Sequence, residues 1–209
     1  MKLTVIGASA GVGLELVQQL LERGHAVTTL SRRVETLPDH PQIQKIRGSS
    51  LNADDVVKAI DRADAICVTL GTGISTKATG LYPQSAGAIL KALEGTATQP
   101  PLIVLTGFGA GDSWDYNSLF MKLLFNLFLK EVYAEKTQME QLIAKDYANA
   151  MFVRPGRLTN APLSKQYRVL TELSKKTKVG AISRQDVAHF IAEQAESPQF
   201  LGQYPALSY

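Results

Sequence analysis

The chain has a single cysteine, Cys67, so no disulfide can close within it. Cys67 lies inside the apolar run Ala65-Ile66-Cys67-Val68-Thr69-Leu70, where a thiol reads as inert core. No apolar stretch reaches the roughly 18 residues that a membrane-spanning helix needs. The charged share of 20% is ordinary, but neither sign dominates. The net charge is +3, and no Lys/Arg cluster forms, which argues against nucleic acid as a partner. Repeats, low-complexity tracts and an interdomain linker are all missing, so residues 1–209 read as one domain with one core. The first strand begins at Lys2, which leaves no room for a signal peptide. The expectation is therefore a cytoplasmic protein without a membrane partner, and no metal site is expected.

What the chain does have is the turn Gly7-Ala8-Ser9-Ala10-Gly11-Val12-Gly13. It follows Leu3-Thr4-Val5-Ile6, a β-branched run that reads as a buried strand. It precedes Leu14, Leu16, Val17, Leu20 and Leu21, which share one helical face, with Gly24 as a stop. Strand, glycine turn and helix is the context in which such glycines bind a dinucleotide. Gly7 permits the tight turn, Gly11 admits the pyrophosphate, and Gly13 lets helix and strand pack closely. With Ser9, Ala10 and Val12 they frame an anion site at the helix N-terminus.

Further along, residues 25–30, 43–47, 65–70, 102–106 and 151–153 read as strands, and 166–173 as another extended piece. Asn52 caps a helix carrying Val56, Val57 and Ile60, and Pro83 opens the next. Residues 131–146 form an amphipathic helix, and a final one runs from Ser183 to Glu196 with Asp186 placed as in a capping box. Alternation of strand and helix with short links predicts an α/β fold, a Rossmann-type doubly wound parallel sheet. Strand two ends at Ser31-Arg32-Arg33, about 20 residues past the glycines, where such folds read the ribose. Two arginines in place of an acid favour a 2′-phosphate, hence NADP(H) over NAD(H). Leu70-Gly71-Thr72-Gly73, after strand four, is a turn where the backbone can come close to the cofactor.

Gly7-x-x-x-Gly11-x-Gly13, with Arg32 after strand two and Arg154-Pro155-Gly156 after strand six, resembles the short-chain dehydrogenase/reductase superfamily. More narrowly, 152–159, Ile182-Ser183-Arg184-Gln185-Asp186-Val187-Ala188 and the Lys136…Glu140 helix resemble its atypical branch, the NmrA-like and flavin reductase (biliverdin reductase B-like) proteins. The resemblance implies NADP(H) along the carboxyl edge of the sheet and, in many relatives, hydride transfer to a flavin, a quinone or a similar acceptor. It places the nicotinamide carboxamide at Pro155, Gly156 and Arg157. Two departures stand out. Ala10 occupies a position often glycine in that branch, and Ser49 and Ser50 stand where relatives carry an acid for adenine, so adenine contacts fall to hydroxyl or backbone groups.

Ordinary members use Ser, Tyr and Lys, with Tyr four residues before Lys. Here the residue four before Lys136 is Val132, and the tyrosine is Tyr133, three before. Lys136 is either a ribose ligand or the partner of Glu140. Tyr133 is a proton donor or a packing residue, and Thr106 holds the serine position with its hydroxyl retained. Thr106, Lys136 and Tyr133 are thus the candidate catalytic residues. Phe108, Trp114 and Tyr116, after strand five, offer a wall for a flat ring, and Arg157 a partner for an acidic group on it. A misplaced tyrosine suits an aromatic small-molecule acceptor that collects its proton from water. The reading is an NADPH-dependent reductase of such acceptors. The alternatives are an NmrA-like NADP-binding redox sensor without turnover and a nucleotide-sugar epimerase or dehydratase. The apolar stretch 119–128 is expected in the core or at an interface with a second copy or a protein partner.

Overall fold

A computed structural model of the protein describes residues 1–73, 77–117, 122, 127 and 129–209. Strand β1 (Lys2–Ile6) passes through the glycine turn into helix α1 (Gly11–Glu22). β2 (Ala26–Ser31), β3 (Ile43–Arg47), α2 (Ala53–Ile60) and β4 (Ala65–Val68) follow. Then come α3 (Leu81–Glu94), β5 (Leu102–Leu105), a 3-10 turn (Gly111–Tyr116), α4 (Lys130–Asp146) and β6 (Ala150–Pro155). β7 (Arg157–Thr159), β8 (Arg168–Leu170), β9 (Ala181–Ser183), α5 (Arg184–Glu196) and β10 (Ala206–Ser208) close the chain.

The main sheet runs β3-β2-β1-β4-β5-β6-β10-β8, and every pairing in it is parallel except β10 with β8. Its apolar strands are buried on both faces, and alternation sorts their side chains between two layers. Leu3, Val5, Cys67, Ile103, Leu105, Met151 and Val153 meet α1 and α5 on one side. Ile6, Ile66, Val68, Leu102, Val104 and Phe152 meet α2, α3 and α4 on the other. This is the doubly wound α/β arrangement. Its strand order reverses between β1 and β4, which opens a crevice at their carboxyl ends.

The expected elements are present with shifted ends. α3 begins two residues before Pro83, because Gly80 at φ +73° forms the left-handed entry and proline is tolerated in a first helical turn. Asn52 caps α2 by accepting from the Asp54 and Asp55 amides at 2.9 and 3.4 Å. The capping box at α5 is only half formed. Ser183 Oγ accepts from the Asp186 amide at 2.9 Å, but the Ser183 amide donates to the Tyr209 hydroxyl instead of to Asp186. The extended piece expected over 166–173 shrinks to three-residue β8. A small second sheet of β7 and β9 was not anticipated, nor was β10. Three residues are too few for a period-two pattern to register. Most of the apolar 119–128 stretch lies outside the described residues, and Leu127 within it is exposed. No described helix is long and apolar enough to cross a membrane.

Candidate active site

A cavity of about 630 Å³ opens at the carboxyl edge of the sheet, in the size range of cofactor sites. Its floor is the glycine turn. Gly7 sits at φ +90°, and a Cβ there would lie 2.8 Å from the Thr69 carbonyl oxygen. A Cβ on Gly13 would collide with the Gly7 carbonyl oxygen and the Thr69 side chain. These two glycines therefore seal turn, helix and β4 together. Gly11 differs: at φ +57° its missing Cβ faces space, and among the described residues outside its own turn only the Arg184 Nε comes within 4 Å, at 3.8 Å. The cap residue of α1, Ala10, offers no side-chain hydrogen bond, so the first N–H groups of the helix are left to a ligand. The turn is held from β2, where Ser31 Oγ accepts the Ala8 amide at 2.9 Å. Ser31 borders the cavity, with that hydroxyl engaged in positioning the loop.

Arg32 and Arg33 line one end of the cavity, with Ser49 and Ser50 beside them. The Ser49 amide donates to Asp55 Oδ2 at 3.0 Å, and the Ser50 hydroxyl pairs with Ser85 at 2.8 Å. Leu70, Gly71, Thr72 and Gly73 form the wall after β4. The far end holds Thr106, Tyr133, Lys136 and Pro155, with Tyr82 from α3.

Lys136 is half-buried at that end. Its Nζ donates to the Thr106 carbonyl oxygen at 2.6 Å and stands 4.8 Å from the Tyr133 ring centroid and 5.6 Å from that of Tyr82. Burial pushes the Lys136 amine down to about 8, with Glu140 opposing the shift. Burial pushes the Tyr133 hydroxyl up to about 12, with Tyr82 adding to it. The i,i+3 spacing brings the ammonium over the face of the Tyr133 ring, and the phenol is not acidified. The Tyr133 hydroxyl and Lys136 Nζ do converge: a Cβ on Gly107 would meet them at 2.9 and 3.4 Å.

Glu140 has another partner than the one entertained for it. It takes Arg154 through a pair of hydrogen bonds, Nε to Oε1 at 3.0 Å and Nη2 to Oε2 at 2.7 Å, with both side chains 3% exposed. Arg154 also donates to Asp112 and stacks over Tyr204 at 4.4 Å. The Thr106 hydroxyl donates to Glu140 Oε1 at 2.6 Å. Having one proton, committed to Glu140, Thr106 offers the cavity only lone pairs.

Other expected residues lie outside the lining. Gly156 packs against the Gly180 carbonyl, where a Cβ would collide, and its amide bonds Leu207. Arg157 is exposed on β7. Phe108 is buried, and Trp114 and Tyr116 sit on the 3-10 turn, so none of the three walls the cavity. Lining residues to which the sequence reading gives no site role include Tyr82 and Arg184. Tyr82 follows the glycine loop after β4 at the start of a helix, and helices of this fold begin at the cofactor edge. Arg184 opens α5 within Ser183-Arg184-Gln185-Asp186. Much of that stretch anchors the 160–166 loop: Arg184 donates to Asn160, Gln185 accepts from Leu163, and Asp186 accepts from Ser164 and Lys165.

The cavity fits a phosphorylated dinucleotide on this chain's own chemistry. Gly11 leaves room at a bare helix N-terminus, Arg32, Arg33, Lys136 and Arg184 line the walls, and no described lining residue is Asp or Glu. The family model described as NAD(P)H-binding matches residues 7–198. A 3-beta-hydroxysteroid dehydrogenase of Mycolicibacterium neoaurum is 40% identical over 65 residues, a match spanning 31% of this chain and only 18% of that relative's length. ChuY, an anaerobillin reductase from Escherichia coli O157:H7, is similar with a TM-score of 0.80 at 23% identity, covering 100% of this chain and 97% of the other. A short-chain dehydrogenase/reductase from Veillonella parvula DSM 2008, in complex with NADP, reaches 0.84 at 18% identity, covering 100% and 94%. At such identities the likeness to these structures is one of fold.

Proposed function

Given that the chain belongs to the NAD(P)H-binding family, we propose that it is an NADPH-dependent reductase of a flat aromatic acceptor such as a flavin or a quinone. When bound, the nicotinamide supplies the hydride. Arg32 and Arg33, which line the cavity, would hold the 2′-phosphate by charge-assisted contacts. Lys136 Nζ, fixed on the Thr106 carbonyl, would hold the nicotinamide ribose. The single observation that carries the choice of acceptor is the Thr106 hydroxyl, donated to Glu140 at 2.6 Å. A carbonyl substrate needs a donor on its oxygen as hydride arrives. Thr106 has no proton left for that, and burial holds the Tyr133 phenol near 12, a weak acid at neutral pH. A flavin or quinone ring accepts hydride into a conjugated system and takes its proton from water.

The test is steady-state NADPH oxidation with FMN, a set of quinones, and aldehydes or ketones. Turnover with the rings and little with the carbonyls is the expected result. Turnover confined to carbonyls overturns the acceptor class, and tight NADPH binding without oxidation by any acceptor turns the reading toward a sensor.

A further inference from the structure

Arg184 lines the cavity beside the glycine turn, with its Nε 3.8 Å from the place a Gly11 Cβ would take. Gly11 lies at φ +57° as the first residue of α1, beside the helix N–H groups that have no side-chain cap. Arg32 and Arg33 follow β2 and Lys136 lies by Thr106, and all three line the same cavity as Arg184. Arg184 is partly buried, and its Nη1 donates to Asn160 Oδ1 at 2.7 Å. Asn160 takes one of five guanidinium donors and fixes the group's direction without neutralising it. Among the described residues no carboxylate forms an ion pair with Arg184.

We propose that Arg184 clamps the pyrophosphate of the dinucleotide beside the N-terminus of α1, with Asn160 as the residue that positions it. The inference rests on the cofactor reading above and deepens it. The helix N-terminus contributes partial positive charge and N–H donors. The neighbouring guanidinium adds bidentate donors to the same phosphate. The ligand is thereby held jointly by α1 and α5, which pack together on one side of the sheet.

Isothermal titration of the full-length protein with NADPH and with adenosine 2′-phosphate, which lacks the pyrophosphate, separates the possibilities. Arg184→Gln is expected to weaken NADPH about tenfold or more and leave adenosine 2′-phosphate unchanged. Arg32→Gln should weaken both ligands. Asn160→Ala should weaken NADPH by a smaller factor with Arg184 still present. Thermal unfolding of each variant, read without ligand, shows whether the fold survives. An Arg184→Gln protein that stays folded and keeps NADPH affinity within about twofold overturns the clamp while leaving the cofactor reading intact. Equal loss for both ligands also overturns it, since the effect would then be a general field of positive charge. An unmodified protein that binds neither ligand refutes the cofactor reading itself and the clamp with it.

Discussion

The Thr106 hydroxyl donates to Glu140 at 2.6 Å, and through Glu140 it is tied to the buried guanidinium of Arg154. The backbone carbonyl of the same threonine holds Lys136 at 2.6 Å. One residue at the end of β5 thus joins a buried ion pair to an amine that lines the cavity. The order runs from the 3-10 turn through Asp112, Arg154, Glu140 and Thr106 to Lys136.

That order predicts unequal costs along the network. Glu140→Ala leaves Arg154 buried against an exposed partner, and should cost about 3–5 kcal/mol of stability. Asp112 has a side chain 76% exposed, so Asp112→Asn should cost no more than about 1 kcal/mol. Urea unfolding of both variants checks this. Similar losses for the two would mean that Glu140 carries no special burden.

The Lys136 amine, pushed down to about 8, gives a pH dependence with a definite sign. If the ammonium donates to the cofactor, kcat/KM with NADPH should fall as pH rises through about 8. In Lys136→Met, which keeps the apolar stem, that limb should vanish and kcat/KM should be low throughout. Stability moves the other way. Between about pH 8 and the ordinary lysine value the unfolded chain binds a proton the folded one lacks, so stability rises with pH. The Tyr82, Tyr133 and Tyr147 hydroxyls, each pushed up to about 12, reverse the slope above about pH 10. Urea midpoints at pH 8, 9 and 10.5 would trace the rise and the turn.

Arg32 should set the choice of cofactor. NADPH is expected to bind about tenfold tighter than NADH, the size of one charge-assisted contact to the 2′-phosphate. Arg32→Glu should narrow or invert the ratio. Equal affinities in the unmodified protein, by fluorescence titration, would remove the argument from β2.

Gly11 faces the cavity and adopts a left-handed backbone, so Gly11→Val has two effects. The branched Cβ occupies space the pyrophosphate needs, and the backbone strain costs about 1–2 kcal/mol. The variant should stay folded with a lower melting temperature and lose NADPH binding. Retained affinity would place the phosphate elsewhere.

The sheet and the glycine-turn end of the cavity were legible because their signals are local. A glycine turn between a β-branched run and an apolar helical face announces itself within about twenty residues, and Arg32 follows at a known remove. Thr106, Tyr133 and Lys136 do reach one end of one cavity. What escaped depends on contacts distant in sequence. The Glu140–Arg154 pair joins α4 to β6, and nothing in Lys136…Glu140 reveals that Glu140 turns from the lysine to the strand. The aromatic wall expected of Phe108, Trp114 and Tyr116 rested on their proximity to β5 in sequence. The chain uses Phe108 as packing and brings Tyr82 from α3 to the cavity instead. Ser183-Arg184-Gln185-Asp186 was visible as a motif, but its chief structural task, anchoring 160–166, concerns residues more than twenty positions away.

Tyr133 provides the sharpest division between acceptor classes. Its ring lies under the Lys136 ammonium at 4.8 Å, and its hydroxyl is held up near 12 by burial. Both facts suit a packing residue that shields the lysine from water. With a flavin or quinone, Tyr133→Phe should therefore keep most of the turnover, because the ring stays and water still delivers the proton. Lys136→Ala should do more harm, since it removes the donor proposed for the ribose, and Thr106→Ala should follow it by loosening the Glu140 link. The measurement is kcat for each variant with the best acceptor found. A loss of about a hundredfold or more in Tyr133→Phe is the size expected for removing a general acid. It would mean that binding of cofactor and substrate brings the phenol into line despite its i,i+3 register, and a carbonyl substrate would become the better assignment.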